Sequence, residues 1–137
     1  MTAFVADCSV TASWVLPDEV SERASDLIGR LGSDAIFVPF LWPSEIANVL
    51  LMAERRGRLT PTQRDAAFAE LKKLPIVVVP FDYQADWAAT YALADRFGLT
   101  FYDACYVRLA AQSGEALATF DKQMRTAAEA LGLSLAI

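Results

Sequence analysis

The chain has 137 residues, the length of one ordinary domain with enough chain to bury a core. Seventeen acidic against twelve basic residues give a net charge of −5, which excludes gripping nucleic acid with a broad basic surface. There is no histidine, which removes histidine-dependent zinc sites, Ser-His-Asp hydrolysis and histidine general bases, and with two cysteines a four-thiolate zinc site is excluded as well.

In chain order, short β-branched or apolar runs alternate with longer helical ones, the signature of an α/β chain with a parallel sheet. The opening Met1 to Asp7 has no basic segment and meets an acid too soon for a secretory signal, so a cytoplasmic location is expected. Ala3 to Asp7 reads as the first strand. A short helix then runs toward Leu16 and stops at Pro17, and a second covers Asp18 to about Leu31, ending at Gly32. Ala35 to Pro39 is the second strand, followed by a helix over Leu41 to Arg56 with Gly57 as its cap. Thr60-Pro61-Thr62-Gln63 combines an N-cap, a proline at the first helical position and a capping-box glutamine, opening a helix to about Leu74. Ile76 to Pro80 is the third strand. Helices over Tyr83 to Phe97 and Thr100 to Ser113 precede the fourth strand, Ala116 to Thr119. A helix over Lys122 to Leu131 stops at Gly132, and Ser134 to Ile137 is the fifth strand.

No linker, repeat or low-complexity segment interrupts this series, so residues 1–137 are expected to form a single domain. The longest apolar runs, 35–43 and 74–81, fall short of the roughly 20 residues that cross a bilayer, and no membrane span is expected. Cys8 and Cys105 read as small core thiols in a reducing compartment. The hydrophobic share of 55% and mean hydropathy of +0.30 exceed the usual values for a soluble monomer. Some apolar surface is therefore expected to meet a partner, in an oligomer.

Most of the acidic residues lie in polar stretches, but four are flanked by apolar residues. Asp7 follows Phe4-Val5-Ala6, Glu45 lies in Pro43-Ser44-Glu45-Ile46, Asp103 in Tyr102-Asp103-Ala104, and Asp121 follows Leu117-Ala118-Thr119-Phe120. Isolated carboxylates in such places would be costly. A shared divalent cation would compensate all four and would also make bound water a nucleophile near neutral pH. Oxygen-only ligands point to Mg²⁺ or Mn²⁺.

Asp7 and Asp121 stand directly after strands, at the carboxyl edge where open α/β sheets bind ligands. Glu45 shares a helical stripe with Val49 and Met52, and Asp103 shares one with Tyr106, Val107 and Ala110, so both acids are expected to point inward. Each acid also has a plainer role. Asp7 and Asp121 would serve as N-caps contributing about 1 kcal/mol each, Asp103 would complete a cap with Thr100, and Glu45 would complement a helix dipole. Caps account for acids at helix starts but not for two that share apolar faces, whereas convergence on a cation accounts for both. Nucleic-acid contact would then be local, through a metal ion at a phosphate or through Lys122, Arg125 or Arg108.

The segments that carry these acids resemble those of PIN-domain ribonucleases, in particular VapC-type toxins of bacterial toxin-antitoxin pairs. Val5-Ala6-Asp7-Cys8-Ser9-Val10 resembles the family's first strand with its Asp-x-Ser/Thr, and Pro43-Ser44-Glu45-Ile46-Ala47-Asn48-Val49-Leu50 resembles its second motif. Tyr102-Asp103-Ala104-Cys105-Tyr106-Val107 and Leu117-Ala118-Thr119-Phe120-Asp121 resemble the third and fourth, in the right order and almost end to end. Cys8 and Cys105 stand where small residues are usual.

The resemblance implies a PIN-like three-layer fold, with a central parallel sheet of about five strands flanked by helices, and Mg²⁺- or Mn²⁺-dependent cleavage of RNA. Asp7, Glu45 and Asp103 would be the core metal ligands, Asp121 would complete the pocket, and the hydroxyls of Ser9 and Thr119 would orient carboxylates. The resemblance also implies a VapB-like antitoxin whose C-terminal arm blocks the acidic pocket, and a homodimer. Phe40, Leu41, Trp42, Leu51 and Met52 could offer a groove for that arm, although core packing is the commoner use of such residues, and Trp14 and Trp87 are equally ambiguous. A receiver domain needs an acidic pair after its first strand, and a haloacid-dehalogenase phosphatase needs Asp-x-Asp, where this chain has Ser9. The remaining rivals are a PIN nuclease of RNA processing with no antitoxin, and a PIN-fold binding module without turnover.

Overall fold

The computed structural model describes residues 3–19, 21–32 and 34–137; Met1, Thr2 and Ser33 lie outside this set, as does Val20 of the expected second helix. Strands β1 (Phe4–Ala6), β2 (Ile36–Pro39), β3 (Ile76–Val79) and β4 (Ala116–Ala118) form one parallel sheet in the order β3-β2-β1-β4. Phe4 aligns with Ile36 on one side and with Ala116 on the other. The helices are α1 (Cys8–Ser13), α2 (Glu22–Gly29), α3 (Trp42–Arg55), α4 (Pro61–Lys73), α5 (Tyr83–Phe97), α6 (Phe101–Ser113) and α7 (Lys122–Ala130).

Successive strand residues point to opposite faces. Phe4, Val5 and Ala6 are nevertheless all fully buried, so β1 is covered on both faces, as expected for a parallel sheet flanked by helices. Helix α6 packs across β1, β2 and β4. The chain winds from β1 through β2 to β3, then returns to the far side of β1 for β4. That reversal opens a crevice between the carboxyl ends of β1 and β4, the place where such sheets bind ligands.

The expected fifth strand is reduced to a bridge. Leu135 pairs with Leu117, supported by Leu117 N–H to Ser134 O at 2.9 Å and Ala136 N–H to Leu117 O at 2.8 Å. The ladder goes no further because the Arg125 guanidinium takes the Ile137 carbonyl at 2.6 Å, so the sheet has four strands among the described residues. The second helix starts later than Asp18. Its N-cap is Ser21, whose hydroxyl accepts from Ala24 N–H at 3.2 Å, while the Asp18 carboxylate is held by Arg58 at 2.7 and 2.9 Å.

The capping box at Thr60 and Gln63 forms as expected, and Gly57 and Gly132 take positive φ (74° and 72°) directly after α3 and the turn that follows α7. Both cysteines are free. Burial pushes the Cys8 thiol up to about 12 and that of Cys105 up to about 11, which suits packing rather than reactivity. No helix among the described residues is long and apolar enough to cross a membrane.

The revised start of α2 is testable by urea denaturation at pH 7. Ser21→Ala should cost about 1 kcal/mol, and Asp18→Asn distinctly less; the reverse order would return the cap to Asp18.

Candidate active site at the carboxyl edge of the sheet

Asp7 leaves β1 with its N–H still paired to the Ala118 carbonyl at 3.1 Å, then caps α1. Its Oδ1 accepts from Val10 N–H at 2.9 Å and from the Ser9 hydroxyl at 2.8 Å, and its Oδ2 accepts from the Thr119 hydroxyl. Thr119 is fully buried at the end of β4, and its Oγ1 also accepts the Asp121 N–H at 3.0 Å. One hydroxyl therefore links the two strand ends. Asp121 is exposed and caps α7 through Met124 N–H at 2.9 Å.

Glu45 comes from the first turn of α3, which begins without a side-chain cap and carries Pro43 in that turn. The indole N–H of Trp42 donates to Thr11 Oγ1 at 2.9 Å and ties α3 to α1. Glu45 Oε1 accepts the Tyr106 hydroxyl at 2.6 Å, joining α3 to α6. Asp103 lies in the first turn of α6, with its N–H donated to the Thr100 hydroxyl at 3.1 Å. Tyr106, Val107 and Ala110 are buried beside it as expected. Val49 and Met52 are only half-buried, so Glu45 sits at the margin of the face that Ile46, Leu50 and Ala53 bury.

The plain role is seen, since Asp7 and Asp121 are N-caps, and the charges of the four acids also act on one another. Burial pushes the Asp7 carboxyl above its ordinary value and Asp121 adds to the rise, against hydrogen bonds from Thr119, Val10 and Ser9. Burial also raises Glu45, with further contributions from Asp103 and Asp7, against the Tyr106 hydrogen bond. Asp103 is raised by burial, then by Asp121 and Asp7, against Thr100. Like charges act this way only at close quarters. No lysine or arginine among the described residues pairs with any of the four. The all-carboxylate donor set and its uncompensated charge suit a hard divalent cation. In the arrangement seen, no three acidic or cysteine side chains among the described residues lie close enough to hold one ion together.

The PIN domain family matches residues 4–130, from the first strand to the end of α7, and so spans all four acids. The chain belongs to the PIN-domain family. Ribonuclease VapC3 of Pyrobaculum aerophilum is 32% identical over 120 residues, covering 88% of this chain and 90% of the relative. Ribonuclease VapC3 of Mycobacterium tuberculosis (strain H37Rv) is 33% identical over 107 residues, covering 78% and 75%. Among solved structures, PAE2754 from Pyrobaculum aerophilum superposes with a TM-score of 0.65 at 24% identity, covering 92% of this chain and 84% of that one. FitAcB from Neisseria gonorrhoeae superposes with a TM-score of 0.68 at 17% identity, covering 98% and 96%. Both structures share the fold, and this PIN domain is of the VapC type.

Of the three cations expected near RNA, Lys122 is exposed immediately after Asp121. The Arg125 guanidinium donates to the carbonyls of Thr119 at 3.1 Å and Ile137 at 2.6 Å, bracing the end of β4. Arg108 pairs with Asp86 at 3.6 Å beside a cavity of about 30 Å³ that Thr90 and Cys105 also line. From its sequence position Tyr106 is expected only to pack. A tyrosine in a buried stripe needs an acceptor for its hydroxyl, and the acid one stripe away on α3 was the available signal.

The raised carboxyls fix the sign of the pH dependence. A group that binds its proton more tightly folded than unfolded favours the fold as pH falls. Asp7 and Asp103 start from 3.8 and Glu45 from 4.5. Metal-free protein should therefore gain thermal stability as pH falls from 7 toward about 5, before ordinary carboxylates are protonated. Asp7→Asn should flatten that gain and raise Tm at pH 7, as read by calorimetry in EDTA.

Proposed function

We propose that this PIN domain is a metal-dependent endoribonuclease, the toxin of a toxin-antitoxin pair, which hydrolyses RNA phosphodiester bonds at Asp7, Glu45, Asp103 and Asp121. The observation that carries the reading is the single Thr119 hydroxyl that joins Asp7 and Asp121 at the switch point, with the half-buried Glu45 and Asp103 within reach of their charge and no lysine or arginine among the described residues paired with any of the four. A cation shared with a phosphate would compensate this charge.

The four carboxylates, which do not close around one ion in the arrangement seen, would draw together to hold Mg²⁺, or Mn²⁺ in its place. When bound, such an ion supplies positive charge at the scissile phosphate and acidifies water. The chain supplies position. Asp7 has both oxygens fixed by three donors, so its direction toward the crevice is set before substrate arrives. Glu45 is turned by the Tyr106 hydroxyl and Asp103 by its place in the first turn of α6. Asp121, the exposed member, stands where an attacking water would enter. Lys122 beside it would receive the RNA backbone as a point charge.

The antitoxin arm has an apolar track available. Leu41 and Trp42 are buried in the core and leave the exposed Phe40 and Leu51 and the half-buried Met52 of the expected groove. Two adjoining cavities of about 410 and 200 Å³ share Trp14, Val15 and Pro17, in the segment that follows α1, and reach toward α2 and α4. A cytoplasmic homodimer completes the reading.

Purified, antitoxin-free protein should cut total cellular RNA into discrete products with Mg²⁺ or Mn²⁺ and not with EDTA. Asp7→Asn and Asp103→Asn should each lower the rate at least about 100-fold. Wild-type rates in either variant would refute the site. Tyr106→Phe should cost about 10- to 100-fold. Because the lost hydrogen bond holds Glu45 down, the acid limb of its pH–rate profile should move to higher pH; an unmoved limb would confine Tyr106 to packing.

A further inference from the structure

The fully buried Thr11 hydroxyl stands between α1, which Asp7 caps, and α3, which carries Glu45 in its first turn. Its Oγ1 accepts the indole N–H of Trp42 at 2.9 Å, and its one hydrogen is directed to the backbone carbonyls of Cys8 at 3.1 Å and Asp7 at 3.3 Å. Trp42 is the first residue of α3 and is itself buried. A polar chain thus runs from the turn that carries Glu45 to the backbone at Asp7. Among the described residues it is the only hydrogen bond between α1 and α3.

A buried indole usually finds an acceptor for its N–H, so the bond alone would be ordinary. What sets it apart is where its two ends lie. On its other side Glu45 accepts the Tyr106 hydroxyl of α6, the helix that also carries Asp103. The start of α3 is therefore held between the segments that bear two of the other acids.

We propose that Trp42 and Thr11 are positioning residues for the metal site, whose hydrogen bond fixes the start of α3, and with it Glu45, relative to Asp7. This role rests on the reading of the four acids as a metal site and adds to it two buried residues that hold no ion themselves. The carboxylates do not close around one ion in the arrangement seen, so the remaining distance must be covered by turning side chains or by shifting helices. The link leaves the first free and opposes the second. A helix start left loose would have to be ordered by the ion itself, at the expense of affinity. Loss of groups that hold ligands in place typically lowers metal affinity by about 10- to 100-fold.

Mn²⁺ binding, read from the EPR signal of the free ion, tests this on wild-type protein, Trp42→Phe, Thr11→Val, their double variant, Thr11→Ser and Leu50→Ala, with urea denaturation to confirm that each is folded. Trp42→Phe removes the indole N–H and Thr11→Val the hydroxyl, and each should raise the Mn²⁺ Kd about 10-fold or more. The double variant should be little worse than either single one, because the same bond is lost. Thr11→Ser keeps the hydroxyl and should bind as the wild type does. Leu50→Ala, at a fully buried position farther along α3, loosens the core without touching the bond and should leave the Kd unchanged. Folded single variants that bind Mn²⁺ like the wild type, or losses that multiply in the double variant, would overturn the positioning role alone. So would Thr11→Ser as weak as Thr11→Val, or a loss in Leu50→Ala as large as theirs. A folded wild type that binds no Mn²⁺ would overturn the metal site and this role together.

Discussion

The Thr119 hydroxyl donates to the Asp7 carboxylate and accepts the Asp121 amide, and this one buried group locks the carboxyl ends of β1 and β4 together. The ladder between these two strands, far apart in sequence, is thereby extended by side chains beyond its last backbone bond. From β1, the same carboxylate caps α1 through Val10, and from β4, Asp121 caps α7 through Met124. Each acid works as the cap that joins its strand to the helix that follows. Glu45 and Asp103 are tied in from the other side by Tyr106, whose hydroxyl bridges α3 and α6.

The arrangement costs stability where it is useful. Helix dipoles and caps stabilise each carboxylate individually, yet three of the four are pushed upward by burial and by one another. The fold carries this because the rest of the core is conventional: β1 is buried on both faces and α6 lies across three strands. Local repulsion of this kind is common where activity needs it, and a bound cation would relieve it.

Much of this was legible in the sequence, for identifiable reasons. The strands and most helices carried their own punctuation, as in the Thr60 capping box and in α5, whose limits at Tyr83 and Phe97 match the reading. Asp7 and Asp121 were visible because an acid after an apolar run marks a strand end. What escaped depended on distant partners. Arg58 lies 40 residues from Asp18 and draws its carboxylate away from a helix start that Ser21 then supplies. Arg125 takes the Ile137 carbonyl and ends the fifth strand at a single bridge. The bond from Tyr106 to Glu45 spans 61 residues, and local periodicity could place each residue on a face without joining them. Arg108 looked available for RNA because Asp86, its partner, belongs to a different helix.

The central claim is that the four carboxylates share one uncompensated field that a divalent cation relieves. Carboxyl-detected NMR titration of metal-free protein, repeated with Mg²⁺, measures it most directly. Without metal, Asp7 and Asp103 should titrate above 3.8 and Glu45 above 4.5, and Mg²⁺ should lower all three together. Three ordinary titrations, unchanged by Mg²⁺, would contradict the account, since the acids would then be helix caps and nothing more.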